Sequence, residues 1–218
     1  MQSFDAGREL LKWIAIITMT IDHVGVVLYP EHSFLRIIGR LSFPLFCYLV
    51  VLGTKSTRNI RNYFIRLLFF AFFSQIPYSL ASGHELFETL NIFFTLSFGV
   101  MLIYLYEERS FLILFPILAS VFLNFDYSLY GMALIACMYV LNENMYIGSI
   151  FTILLNLIFL PVGYIQIFSV FALPIILLHK SGLIRSVINR NNSAWKFFYY
   201  LYYPTHLTVL YFFKLSFI

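Results

Sequence analysis

The stretch LLKWIAIITMTIDHVGVVLY, residues 10–29, decides the class of fold. It is apolar almost throughout, and a helix of about 20 residues is as long as the hydrocarbon core of a bilayer is thick. The run is continuous rather than alternating, so it reads as a helix in lipid and not as a barrel strand. The rest of the chain repeats the pattern. Of 218 residues, 61% are hydrophobic, 20% aromatic and 11% charged, against roughly 25% charged in an ordinary soluble domain. A soluble fold of this length would leave much of that apolar surface in water. The composition therefore predicts an all-α, polytopic integral membrane protein, organised as one domain over 1–218.

Further apolar runs cover 34–53, 63–82, 89–106, 111–124, 127–141, 145–160, 164–179 and 197–216. Several are shorter than a perpendicular span needs. The count is about nine membrane helices, with eight and ten as neighbouring solutions. No segment has the charge, short apolar core and small-residue cleavage site of a signal peptide, so the first helix is expected to stay. Cys47 and Cys137 lie in apolar runs and read as small buried hydrophobes rather than a disulfide or metal pair.

Orientation follows from the basic loops. The 54–62 loop holds Lys55, Arg58 and Arg61, and the 180–196 loop holds Lys180, Arg185, Arg190 and Lys196. Nine helices put both loops on one side, with Arg8, Lys12 and Arg109. That side is expected to be cytoplasmic, with the N-terminus inside and the C-terminus outside. The net charge of +4 is a topology signal; no stripe of bases and aromatics points to nucleic acid.

Polar groups then stand out by depth. Asp22 and His23 lie past the middle of the first span, toward the outer face. Arg36 and Arg40 share a face of the second. Gln75 lies on the third and Asp126 at the outer end of the 111–141 hairpin. Asn91 and Thr95 form a stripe with Glu88, as His206 does with Tyr199 and Tyr202. An isolated charge at the bilayer centre costs about 2.5–3.5 kcal/mol even on lenient scales. Such groups persist together when they face each other or water, so one polar cavity open to the outer side is expected. Blander readings stand beside it. Asp22 and Arg40 could form a purely structural ion pair, His23 could be an interfacial histidine bonded to a carbonyl, Arg36 could snorkel to headgroups, and the tyrosines could form an aromatic seam. His32, His84 and His179 read as interfacial, and Glu107, Glu108 and Glu143 as solvated.

The motifs LKWIAIITMTIDHVG (11–25), RIIGRLSFPLFCYLV (36–50), NYFIRLLFFAFFSQIPY (62–78), LNIFFTLSFG (90–99), FDYSLYGM (125–132) and YYLYYPTHL (199–207) occur in an order that resembles the TraX family. TraX proteins are associated with N-terminal acetylation of conjugative pilin in the bacterial inner membrane. They are similar to membrane acyltransferases such as heparan-alpha-glucosaminide N-acetyltransferase. The resemblance implies acetyl transfer from cytosolic acetyl-CoA to an amine or hydroxyl acceptor (a protein N-terminus, pilin or a small amine) on the far side of the membrane. His23 suits the base because histidine as a residue type ordinarily titrates near working pH, with Asp22 orienting it or pairing with Arg40. Arg40, Asn91, Tyr203 and His206 are candidate donors to the oxyanion. Asp126, Tyr203 and Gln75 are candidate acceptor contacts. Lys55, Arg58, Arg61 and Arg66 are the expected CoA-phosphate cations. Direct transfer and an acetyl-histidine route both remain open. The opposing class is a transporter or pilus-assembly scaffold, although no internal repeat marks a transporter. Lipid is the surrounding partner, and the oligomeric state is not legible.

Overall fold

A computed structural model describes residues 4–184, 187–188 and 194–217. Arg185 and Arg190 of the second basic loop lie outside the described residues, as does the side chain of Lys196.

The structure is a helical bundle. Its helices are α1 Ala6–Val27, α2 Ser33–Gly39, α3 Ser42–Ser56, α4 Ile60–Ser82, α5 Ile92–Glu107, α6 Leu114–Phe122, α7 Ser128–Glu143, α8 Met145–Ile158, α9 Ala172–Lys180 and α10 Ala194–Phe217. Short 3-10 segments, Phe111–Ile113 and Tyr164–Phe171, lead into α6 and α9. Among the described residues the one ladder pairs β1 (Phe4–Asp5) with β2 (Val187–Ile188). With α2 joined to α3 and each 3-10 segment joined to its helix, the described residues form nine rods, one for each apolar run. The segments 6–27, 33–56 and 60–82 are long and apolar enough to cross a bilayer, and five shorter rods are apolar as well. The protein is an all-α polytopic membrane protein.

Boundaries differ from the apolar runs where caps and proline intervene. Helix α1 starts at Ala6 rather than near 10, because the Asp5 side chain accepts from the Arg8 amide at 3.2 Å and satisfies a free amide of the first turn. The second run is not one straight helix. Pro44 has no N–H, and in an unbroken helix its ring would meet the carbonyl of Arg40. The chain breaks there, and the Ser42 hydroxyl donates to the Gly39 carbonyl at 2.7 Å. Pro77 and Pro204 lie inside α4 and α10 without ending them.

Inward faces make a dry core in which Leu11, Ala15, Leu45, Val51, Ala71, Val100, Leu134 and Ile176 are fully buried. Outward faces carry Ile17, Phe69, Phe73, Phe115 and Phe122, all exposed, which is the apolar surface a lipid environment accepts. Polar ties gather at one end of the bundle. Arg8 donates to Ser56, Lys55 pairs with Glu107 and Glu143, Lys180 donates to the Asn142 carbonyl, and β1 meets β2. The two basic loops therefore share this end.

Candidate active site

At the opposite end a cavity of about 240 Å³ opens between the end of α1, the α2–α3 break, the end of α4, the start of α5, the α6–α7 connection and the middle of α10. Asp22, His23, Arg36, Arg40, Asp126 and Tyr203 all line it.

Asp22 is nearly buried and lies between two arginines. Arg40 Nη2 donates to its two oxygens at 3.1 and 3.3 Å, and Arg36 Nη1 reaches Oδ2 at 3.2 Å. Arg36, read from the sequence as free to snorkel, is thus tied inward. Gly39 makes the approach possible: a Cβ there would fall on the Asp22 side chain. The adjacent Gly39 and Arg40 are one device, a gap in α2 that admits the Asp22 carboxylate beside the cation that pairs with it. Removing one partner of a buried pair costs about 3–5 kcal/mol, because the other charge is left uncompensated.

His23 turns a different way, as neighbours on a helix must. Its Nδ1 lies 2.7 Å from His206 Nε2, and the rings are stacked with centroids 4.9 Å apart. His206 Nδ1 is 2.9 Å from the Tyr202 carbonyl. A carbonyl oxygen can only accept, so the partners assign the protons. His206 carries hydrogen on Nδ1, its Nε2 is a lone pair, and His23 Nδ1 donates to that lone pair. His23 Nε2 is then a lone pair with no protein partner among the described residues. His206 was expected as an oxyanion donor, but both its ring nitrogens are engaged and it does not line the cavity. Tyr202 and Tyr199 complete the α10 stripe: Tyr202 meets Thr20 at 2.8 Å and Tyr199 donates to Glu9 at 2.5 Å. The stripe is a polar seam against α1 rather than a purely aromatic one.

Asp126 sits in the tight connection before α7, where Asn124, Tyr127 and Ser128 all have positive φ, a strained conformation for non-glycine residues. The connection is pinned by Asp126 N–H donating to the Leu90 carbonyl and Thr95 donating to the Asp126 carbonyl. Burial pushes the Asp126 carboxyl up to about 6, with the nearby Arg40 charge pulling the other way.

Two expected site residues are placed elsewhere. Asn91 and Gln75 are fully buried and line neither cavity. Asn91 caps α5 and donates to the Ala71 carbonyl and to Gln75 Oε1, while Gln75 Nε2 donates to the Thr89 carbonyl. They lock α4 to α5. His179, expected at an interface, is buried beside Tyr48 and Asp5.

A second cavity, of about 340 Å³, lies toward the basic end. Arg8, Lys12, Arg66, Tyr63, Tyr199 and Tyr200 stand in its wall. Arg66 lies 5.4 Å from the Tyr63 and Tyr200 ring centroids and donates to the Tyr200 hydroxyl at 3.2 Å. Lys12 pairs with Glu9 at 2.6 Å and lies over Tyr199. Of the four cations expected to hold phosphate, Arg66 alone is here. Arg58 and Arg61 are exposed and line neither cavity. Lys55 is engaged by Glu107 at 2.7 Å and Glu143 at 3.1 Å, joining the ends of α3, α5 and α7; those glutamates are exposed, as expected, and are ion-pair partners as well. Arg8 and Lys12 were visible in the sequence only as same-side positive charges. The two cavities share Met19, Phe46, Ile92 and Tyr203 as a common wall.

No solved structure matches the chain. Among curated proteins, 41 residues are 56% identical to an uncharacterized protein of Rickettsia prowazekii, covering 19% of this chain and 16% of that protein. A probable fimbrial assembly protein, FimC of Dichelobacter nodosus, is 34% identical over 105 residues, 46% of this chain and 43% of the relative. Protein TraX of Escherichia coli K12 is 33% identical over 104 residues, 47% and 41% of the two chains. Each match thus covers less than half of the relative. The TraX protein family itself matches residues 7–214, which takes in every residue that lines the two cavities: the chain belongs to the TraX family.

Proposed function

We propose that the protein is a CoA-dependent acetyltransferase that carries an acetyl group from one end of the bundle to an amine or hydroxyl acceptor at the other. The observation that supports this reading is the shared wall: a cationic, tyrosine-lined cavity on one side and a histidine with a free ring nitrogen on the other, separated by Met19, Phe46, Ile92 and Tyr203. Acetyl-CoA fits the first cavity chemically. Arg8, Lys12 and Arg66 suit its phosphates, tyrosine faces suit its adenine, and the thin pantetheine arm would pass the wall toward His23.

In the chemistry so proposed, His23 Nε2 takes the proton of the attacking N–H or O–H as the acceptor adds to the thioester carbonyl. The C–S bond then breaks, coenzyme A leaves as thiolate, and the proton passes to sulfur. His206 holds the His23 tautomer in which Nε2 is the base. Arg40 and Tyr203, which line the cavity, are the donors left for the oxyanion. An acetyl group carried on His23 Nε2 would use the same free nitrogen. Asp126 is the cavity carboxylate with no ion pair among the described residues and would meet a cationic acceptor.

The clustering of Lys and Arg at one end supports a cytoplasmic N-terminus in the bacterial plasma membrane. The name of the Dichelobacter relative supports a fimbrial or pilus subunit as acceptor, and it also favours the alternative of a non-enzymatic assembly scaffold. The inward-facing His–His and Asp–Arg groups favour the enzyme, because a scaffold needs no such groups inside. Purified protein incubated with isotope-labelled acetyl-CoA and candidate peptide, amine and alcohol acceptors, read by mass spectrometry, decides between them. Labelled product with wild type and none with His23→Ala supports the enzyme; none with either sinks it.

A further inference from the structure

A buried polar chain runs from the site into helices that the proposed chemistry does not use. Arg40 Nη1 donates to Gln166 Oε1 at 3.0 Å, and Gln166 Nε2 donates to the Tyr130 hydroxyl at 2.9 Å. Tyr130 donates to Asn156 Oδ1 at 3.2 Å and lies as close to Ser169. Ser169 also donates to Asn156 at 2.7 Å, and Asn156 Nδ2 closes on the Thr152 carbonyl at 2.9 Å. Ser169, Asn156 and Tyr130 are almost wholly buried. Among the described residues the chain ends on the Thr152 carbonyl at one side and on Arg40 at the other.

The backbone is shaped to suit it. Gln166 and Ser169 lie on the Tyr164–Phe171 segment, eight residues of 3-10 helix, where runs beyond three or four are uncommon. Pro174 explains the break at its C-terminal end, since its ring would meet the Val170 carbonyl, but not the winding before it. In a 3-10 helix residues i and i+3 eclipse. Gln166 and Ser169 are so spaced and both reach the same Tyr130 hydroxyl. An α-helix would turn them roughly 60° apart.

Arg40 has reason to need the support. Its contact with Asp22 uses one nitrogen, about which the guanidinium could pivot; Gln166 supplies the second point that sets its plane. Nε, buried and without a partner among the described residues, is then the nitrogen left over.

We propose that Gln166 is a positioning residue: held by Tyr130, it sets the Arg40 guanidinium, and through it Asp22, beside His23. The kinetic consequence rests on the acetyl-transfer reading; the geometric one does not. The test uses full-length Gln166→Leu, Gln166→Glu and Asn156→Leu, with three readouts. These are thermal unfolding, kcat and KM for acetyl-CoA, and the pH midpoint of His23 carbethoxylation by diethyl pyrocarbonate, read by mass spectrometry. The groups around His23 that set this midpoint are His206, Asp22, Arg36, Arg40 and Asp126.

Gln166→Leu should lower kcat by up to about 10²-fold, the cost of a small misplacement transmitted to the reacting groups, with donor KM unchanged and the His23 midpoint moved. Gln166→Glu still accepts from Arg40 and should recover most of both. Asn156→Leu leaves the Gln166–Tyr130 and Tyr130–Ser169 contacts in place, so it should lose comparable thermal stability yet keep kcat and midpoint near wild type. Losses that follow thermal stability in all three variants, or an unmoved His23 midpoint in Gln166→Leu, would overturn the proposal. If wild type transfers no acetyl group, the enzyme reading fails by itself. The His23 midpoint then decides the positioning role: moved in Gln166→Leu and not in Asn156→Leu supports it, and any other pattern ends it.

Discussion

His23 and His206 lie 183 residues apart in sequence and 2.7 Å apart at Nδ1 and Nε2, and the Tyr202 carbonyl behind His206 gives the pair a direction. His23 donates inward and keeps its other nitrogen for the cavity. His23→Ala should therefore fold and lose turnover on the order of 10²–10⁴-fold. His206→Gln can still accept from His23 and should retain more activity than His206→Phe, which cannot. Steady-state acetyl transfer measures this order; equal activity in the two His206 variants would detach His206 from the tautomer.

Asp22 binds two arginines, so Asp22→Asn leaves both without their anion. The loss of unfolding free energy should be about 3–5 kcal/mol, measured by denaturant titration in detergent. Neutralising Arg40 as well should restore part of it, because Arg36 is partly exposed and can turn to water. Activity should not return with the stability. A double variant no more stable than Asp22→Asn would argue that the cost is packing rather than charge.

The donor cavity separates cations that look alike in sequence. Arg8→Ala, Lys12→Ala and Arg66→Ala should each raise KM for acetyl-CoA, least so at high salt for the exposed Arg66, where screening already weakens its contribution. Arg58→Ala and Arg61→Ala should leave KM alone, and Lys55→Ala should lower thermal stability instead. A raised KM confined to Arg58 and Arg61 variants would move the donor out of this cavity.

Asp126 makes stability depend on pH in a definite sense. Its folded-state value near 6 lies above the roughly 3.9 of an unfolded aspartate, so the folded protein holds the proton more tightly. Stability should fall as pH rises from about 4 to 6 and level off above. Asp126→Asn removes the term. The difference in melting temperature between variant and wild type should grow over that interval and then stay constant. A constant difference across the interval would mean that the carboxyl is well solvated.

What the sequence determined by itself was the helical class, the apolar runs that become the rods of the described residues, and the residues that do not belong in lipid. The reason is local: without water each segment must satisfy its own backbone, so an apolar run of sufficient length is a helix whatever surrounds it. Asp22, His23, Arg40 and His206 were legible for the same reason, as polar groups in apolar runs. Their partners were not. Which face of a rod meets which neighbour depends on rotation about the helix axis, and the break that Pro44 imposes beside Arg40 changes that rotation. Tertiary packing alone decided that His206 supports His23, that Asn91 and Gln75 bond each other away from the cavity, and that Lys55 is spent on Glu107 and Glu143. It also decided that Arg8 and Lys12 join Arg66, and that a lone Gln166 in an apolar run reaches Arg40. Each of these is a relation between separate rods, and hydropathy, being a property of one segment at a time, carries no record of them.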